Sequence, residues 1–455
     1  MPSEALSAAP LATVVIVNWN GERLLRSCLD ALAHQQTSAP FLTWVVDNAS
    51  SDSSVELLRT EYPDVRVLQN TDNLGFAGGN NTALRQIATP YAVLLNNDAT
   101  PEPDWLEQLL APFDEPGAER LAAVTSKVVF APKFLAATLT TDGFSPGPQD
   151  PRDLGLQLFR VSVEDQDVTE RVLMERATWG AEGTGPSRFR WTRPTAELLI
   201  PLPDGLPGPI ELTFRWAGER DKSATLTWDG GSVTLPVTTT VEDVPVEVPA
   251  SVAAVDVVNN VGSVVVTSGY GADRGYQEVD RGQYDEAQEV FALCGCAVAF
   301  RTAAGREVDW FDDAFFLYYE DTDLSWRLRA AGWRIRYEPK AVVRHIHSAS
   351  SVEWSPTFVF HSTRNRLLML TKDASAGRAR REWLGFLRET LDLLRFVVGA
   401  LRRGRRPPLQ RLRMQLRVLR SLLRLTPGAL RARRQIARSA QVPRTDLERW
   451  LVTAR

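Results

Sequence analysis

The sequence predicts an α/β protein whose mostly parallel sheet is interrupted by an inserted all-β sandwich and followed by a helical extension. Three observations predict it. Over the first 130 residues, near-continuous apolar strands alternate with helical patterns, as in a parallel sheet covered on both faces. From about Thr140 the texture changes to period-two runs punctuated by proline and by Asp-Gly and Gly-Gly steps, which are hairpin signals. From Arg378 to Arg438 leucine and arginine interleave at helical spacing. The implied divisions are 1–139, 140–259, 260–370 and 371–455.

Taken in order, Thr13-Val14-Val15-Ile16-Val17 is an apolar strand ending at Asn18-Trp19-Asn20-Gly21. Leu24, Leu25, Cys28, Leu29 and Leu32 then recur at i, i+3/4 spacing, predicting a helix over 23–34. Strands follow at 41–46, 65–68 and 91–95, the first ending at Asp47-Asn48 and the last at Asn96-Asn97-Asp98. Polar residues released at the carboxyl ends of such strands lie where open α/β sheets bind ligands. In the insertion, Ile210 to Trp216 and Ala224 to Trp228 alternate with period two, and the second run turns back at Asp229-Gly230-Gly231. Trp179, Trp191, Trp216 and Trp228 read as exposed rings that could stack on sugars or as core. After Gly269 the α/β texture resumes, with a strand expected over 290–300. The C-terminal helices break at Arg405-Arg406-Pro407-Pro408, and basic amphipathic helices of this type suit an anionic membrane surface or a solvated docking face.

At 455 residues the chain is long enough for two or three cores. Its net charge of −4 conceals an arginine-rich C-terminal part and a correspondingly acidic remainder. Three cysteines make no disulfide framework, no basic leader is evident, and no apolar run reaches the roughly 20 residues of a membrane span. A cytoplasmic protein is expected. The densest chemical signal is Tyr318-Tyr319-Glu320-Asp321-Thr322-Asp323, which opens a helix carrying Leu324, Leu328 and Ala331 and stopping at Gly332. Acids in a first turn are favoured by the helix dipole, and Asp323 can pair with Arg327 one turn on. Asp or Asn after a strand is likewise a common helix cap.

Four elements in this order, Asp47-Asn48-Ala49-Ser50, Asn73-Leu74-Gly75-Phe76-Ala77-Gly78-Gly79-Asn80-Asn81, Asn96-Asn97-Asp98 and the later acidic run, resemble the inverting family-2 glycosyltransferases of GT-A fold. Bacterial rhamnosyltransferase-like members are the nearest in pattern, over roughly 11–135 and 260–370. The resemblance implies a nucleotide-diphosphate sugar donor, a glycan or lipid-linked acceptor, and a divalent cation (Mn or Mg). It implies neither nucleic-acid binding nor a fixed oligomeric state. On the donor side it points to Asn18, Asn20, Asp47 and Asn97, and to Asn73, Gly75, Gly78, Gly79 and Asn80, with Asp47 on the nucleobase. The Gly78-Gly79 turn would bring backbone N–H groups close to ribose and phosphates. Asn96 replaces the first acid of the family's Asp-x-Asp, leaving Asp98 as the metal carboxylate. A histidine completes that site. Position favours His345, while strand alternation keeps His347 open. Asp321 would be the base, with Glu320 beside it toward the acceptor, and Trp310, Tyr318 and Tyr319 would wall the acceptor side. Arg364-Asn365 fits either a donor-phosphate or a structural role.

Overall fold

A computed structural model describes residues 9–38, 40–174, 176–203, 208–346 and 355–453. The chain forms two compact units, one made of 1–129, 259–276 and 282–455, the other of 130–258 and 277–281.

In the first unit the α/β half runs β1 (Ala12–Asn18), α1 (Glu22–Ala33), β2 (Phe41–Asp47), α2 (Ser54–Glu61), β3 (Arg66–Gln69), α3 (Gly75–Leu84) and β4 (Tyr91–Leu95). β1 pairs in parallel with β2 and with β4, and β2 in parallel with β3. Every residue of β4 is buried, as a strand covered on both faces requires. Helix α1 turns Leu25, Cys28, Leu29 and Leu32 into the core, the face its spacing predicts. Beyond β4 the polarity reverses. Strand Ala297–Arg301 runs antiparallel to β4, and Arg334–His345 runs antiparallel to β5 (Ala99–Pro101). The sheet is thus mixed and mostly parallel where the donor-side loops emerge, the α/β arrangement expected of a GT-A fold. The strand expected over 290–300 is interrupted. Gln288–Glu289 and Ala297–Arg301 are separate strands, because Cys294-Gly295-Cys296 turns out of the sheet.

The acidic helix Glu320–Ala330 is followed by Pro356–Asp373, Ala376–Arg402 and Leu409–Ser439. Ser355 and Ser375 cap two of these through their side chains, and Gly404 with Pro407-Pro408 separates the last two. Among the described residues no helix is long and apolar enough to cross a membrane.

The second unit is a β-sandwich. One sheet contains Phe134–Thr141, Thr195–Pro201, Lys222–Trp228 and Gly231–Val237, and the other Gln157–Val163, Ile210–Ala217 and Glu242–Val248. The Asp229-Gly230 hairpin forms where the sequence places it, with Trp228 opposite Gly231 and Gly230 at φ +82°. Phe134–Thr141 supplies a central strand, so this unit begins at Phe130 rather than at 140. Trp216 and Trp228 are core residues packed with Leu139, Phe214 and Leu226; Trp179 and Trp191 are half-buried. Of the two readings the sequence left open, core holds for Trp216 and Trp228, and neither Trp179 nor Trp191 is fully exposed.

Candidate active site

The donor edge follows from register. Asn18 and Asp47 end adjacent parallel strands and stand side by side. Asn97 Nδ2 donates to Asn18 Oδ1 at 2.9 Å, and Asn18 Nδ2 to Ser50 Oγ at 3.3 Å. Asn20, at φ +51°, donates its N–H to Ser50 Oγ (2.9 Å) and accepts from Ser51 N–H (2.7 Å). These three asparagines tie together the loops that follow β1, β2 and β4. Asp47 is different: Oδ2 accepts Ser50 N–H at 3.3 Å, while Oδ1 is buried and accepts nothing among the described residues. An orphaned buried acceptor costs on the order of 1–3 kcal/mol, which an incoming N–H donor would recover. Trp19, 51% exposed beside this loop, is a ring that the sequence reading passed over.

The glycine segment departs from expectation. Gly78 and Gly79 lie inside α3, not in a turn. A Cβ on Gly78 would sit 2.8 Å from Leu74 Cβ, and one on Gly79 would sit 2.8 Å from Val17 Cγ1 and 2.9 Å from Asn48 Nδ2. Gly79 thus allows close packing of helix on sheet, and Gly78 leaves room for Leu74 at the start of its own helix. The first N–H groups of α3 are also already used. Gly75 N–H goes to Asn73 Oδ1 (2.8 Å), and Phe76 and Ala77 N–H go to the Phe316 carbonyl (2.7 and 3.4 Å). This helix start therefore offers no free cradle for phosphate. Gly75 itself is required twice, by φ +71° and because a Cβ there would lie 2.2 Å from Phe316 O. Asn80 Nδ2 bonds back to Phe76 O within the helix. Asn48, unremarked in the sequence, is the hub. It donates to Gly75 O (2.9 Å) and Asn73 Oδ1 (3.3 Å), and accepts from Asn70 Nδ2 (2.9 Å) and Leu74 N–H (3.3 Å).

The expected metal ligands are brought together. Because His345 lies opposite Ala99 in the antiparallel ladder, its ring stands over Asp98, with Nε2 3.2 Å from Oδ1 and Nδ1 3.1 Å from Asn259 Oδ1. Asp98 Oδ1 is buried and, among the described residues, accepts no hydrogen bond. One carboxylate and one imidazole suit a hard divalent cation that keeps several waters and takes its remaining oxygens from a diphosphate. Among the described residues no third His, Cys, Asp or Glu joins them. His347 lies outside the described residues.

The turn Cys294-Gly295-Cys296 links this side to the acids. Cys296 O accepts Asn96 N–H (2.8 Å), and Gly295 N–H reaches Asp321 Oδ2 (3.4 Å). Asp321 Oδ1 accepts Thr322 N–H (2.6 Å) and Thr322 Oγ1–H (3.1 Å). Burial pushes the Asp321 pKa up to about 6; the Thr322 and Gly295 bonds oppose this and the Asp273 charge adds to it. Glu320 is buried, Oε2 has no hydrogen-bond partner among the described residues, and burial together with the Asp321 charge raises its pKa well above the usual carboxylate value, favouring the neutral form. Asp323 is fully buried between Arg327 Nε (2.8 Å) and Lys372 Nζ (2.7 Å), whose charges outweigh burial and lower its pKa. The pairing with Arg327 was legible in sequence; Lys372, 49 positions on, was not.

The loop before the acidic helix is strained and clamped. Phe316, Tyr318 and Tyr319 have φ of +25°, +67° and +71°. Such conformations cost of order 1–3 kcal/mol each and persist only when their surroundings impose them. Asn365, fully buried, donates to both the Leu317 and Tyr318 carbonyls (2.8 and 2.7 Å), and Arg364 Nη2 donates to Ala314 O (2.8 Å). From the other side Asn81 Nδ2 holds Phe311 O (2.8 Å) and Asp313 Oδ1 (2.6 Å). Arg364-Asn365 is thus a structural clamp. Trp310 is core, 2% exposed, its ring filling the space over Gly305 and edge-on to Phe300, so it walls nothing. Tyr318 and Tyr319 are half-buried, Tyr318 edge-on to Phe358 and Tyr319 Oη taking Gly271 N–H at 3.4 Å.

Residues 13–132 match the model of Glycosyl transferase family 2. The N-acetylglucosaminyl-diphospho-decaprenol L-rhamnosyltransferase of Mycobacterium tuberculosis is 34% identical over 122 residues, 26% of this chain and 39% of that protein. Glycosyltransferase AglE of Haloferax volcanii is 26% identical over 117 residues, 25% of this chain and 38% of that protein. The chain therefore spans about two fifths of the length of these relatives. Among solved structures, GalNAc-T7 with UDP, GalNAc and Mn2+ aligns at TM-score 0.44 and 11% identity, covering 80% of this chain and 48% of that one. The Pyrobaculum calidifontis mannosyltransferase PcManGT, in complex with GDP-Man and Mn2+, aligns at 0.37 and 14%, covering 96% and 78%.

Proposed function

We propose that this chain, whose residues 13–132 match the Glycosyl transferase family 2 model, is an inverting glycosyltransferase. It would move a sugar from a nucleotide-diphosphate donor to a glycan or lipid-linked acceptor in bacterial surface polysaccharide synthesis, working at the inner face of the plasma membrane. The observation that carries the reading is the single turn Cys294-Gly295-Cys296. On one side it accepts the N–H of Asn96, two residues before the Asp98 that meets His345, and on the other it donates to Asp321, a carboxylate of raised pKa. A rhamnosyl donor is the first candidate, supported by the pattern of the four motifs and by the name of the M. tuberculosis relative.

In this reading Asp47 Oδ1 takes an N–H of the nucleobase. Asp98 and His345 would hold a divalent cation, which would neutralise charge on the departing diphosphate. Asp321 takes the proton of the acceptor hydroxyl as that oxygen forms its bond to the anomeric carbon. The bond from that carbon to the diphosphate oxygen breaks on the opposite face, and the electron pair leaves with the nucleoside diphosphate. A base so placed contributes typically 10²–10⁴-fold. Asp323, held by Arg327 and Lys372, keeps the helix that carries Asp321 in place. Galactofuranosyl or hexosyl transfer would use the same groups. A catalytically silent glycan-binding protein would have no need of an unpartnered Asp47 oxygen or of a carboxylate titrating near 6.

Nucleoside-diphosphate release across a panel of nucleotide sugars, with Mn2+ or Mg2+ and with chelator, tests the reading. Release from one donor, lost on chelation and in Asp98→Asn, is expected. Absence of release from every donor, with and without a cell-envelope acceptor fraction, overturns it in favour of binding.

A further inference from the structure

The helix Ala376–Arg402 leaves a continuous apolar stripe in solvent. Leu384, Leu387, Leu391, Leu394, Val398 and Leu401 are all more than a third exposed, with Leu391 at 46% and Leu401 at 58%. Their spacing alternates three and four, so they share one face over five turns, about 25 Å of helix. The adjoining face is satisfied: Phe386, Thr390, Val397 and Ala400 are buried. The next helix, Leu409–Ser439, repeats the arrangement with Leu409, Leu416, Leu423 and Leu430 at intervals of seven, Leu423 being 63% exposed. Ten large aliphatic side chains in two ladders are not the scattered exposure of an ordinary surface.

Charge decides between the candidate occupants. Arg388, Arg395 and Arg402 flank the first stripe at successive heptad positions, all exposed, Arg395 being paired with Asp392 at 3.1 Å. The second helix carries nine arginines and no acidic residue. A two-fold pairing of copies through the stripe would set the Arg388–Arg395–Arg402 row against itself, or against the uncharged row Trp383, Thr390 and Val397. Neither gives the complementary flank that a helix pair requires. A negatively charged surface with an apolar interior complements both the row and the stripe. We infer that the exposed ladders of Ala376–Arg402 and Leu409–Ser439 are a docking surface for an anionic lipid bilayer, entered by the leucines and retained by the arginines. This gives the membrane placement of the proposed reaction a specific surface; because lipid binding and donor cleavage are measured separately, either can fail alone.

The test is co-sedimentation of the full chain with vesicles of phosphatidylcholine alone and of phosphatidylcholine with one third phosphatidylglycerol. Leu391→Glu/Leu394→Glu is compared with wild type. Binding to anionic vesicles should exceed that to neutral ones by at least tenfold and fall steeply between low and moderate salt. The double variant should lose it while keeping its circular dichroism spectrum and its donor cleavage. Because both leucines are exposed, no core is disturbed. Equal binding to both vesicles, or unchanged binding by the double variant, overturns the inference. So does conversion of an oligomer to a monomer by the variant with lipid binding retained, which would assign the ladders to a second copy of the chain.

Discussion

Removing the carboxylate of Asp321 without changing its size is the most direct perturbation of the proposed chemistry. Its pKa of about 6 predicts an acid limb in kcat/KM for transfer. At about pH 5 roughly one molecule in eleven carries the ionised base, and at about pH 7.5 nearly all do, so the rate should rise about tenfold across this interval. Asp321→Asn should lower transfer by roughly 10²–10⁴, abolish that limb, and leave donor affinity within a few-fold, because Asp47, Asp98 and His345 are untouched. The sign at the neighbouring charge is opposite to that of a helper. Asp273 raises the Asp321 pKa, so Asp273→Asn should move the limb to lower pH and increase the rate near pH 5. The assay is the initial rate of transfer at subsaturating acceptor, with donor binding titrated in parallel. A limb that persists in Asp321→Asn, or that does not move in Asp273→Asn, would show that another group takes the proton.

Asn365→Ala deprives two carbonyls of their donor, so stability should fall by about 1–3 kcal/mol and kcat should drop with donor KM unchanged, as judged by urea melts and steady-state kinetics. Gly79→Ala should cost roughly 1–3 kcal/mol of overpacking against Val17 and Asn48. Gly385→Ala, with nothing within 4 Å, should gain up to about 1 kcal/mol from helix propensity, and thermal melts separate the two. The segment 130–258, expressed alone, should unfold cooperatively with a β-type circular dichroism spectrum; a disordered segment would refute its independence.

The sequence by itself determined those features that depend on local spacing. The apolar runs of β1 and β4, the Leu25–Leu32 face of α1, the Asp229-Gly230 hairpin and the pairing of Asp323 with Arg327 all follow from periods of 2 or 3.6 and from turn chemistry. Where carboxylates emerge was legible for the same reason, at strand ends and a helix start; the roles assigned to them came from the resemblance to family-2 glycosyltransferases. Only the tertiary structure decided what each polar group meets. Gly78 and Gly79 read as a phosphate turn until Leu74 is seen to press on the first and Val17 and Asn48 on the second, and the N–H groups they were to accompany are taken by Phe316, some 240 residues away in the chain. Trp216 reads equally as a stacking ring or as core, and Trp310 as an acceptor wall, until the sandwich core and Gly305 are seen to enclose them. His345 meets Asp98 only because an antiparallel register sets it opposite Ala99, and Asn365 finds the Tyr318 carbonyl across 47 residues. Periodicity tells which side of an element faces inward; the partner on that side is set by long-range register and packing, which no local window contains.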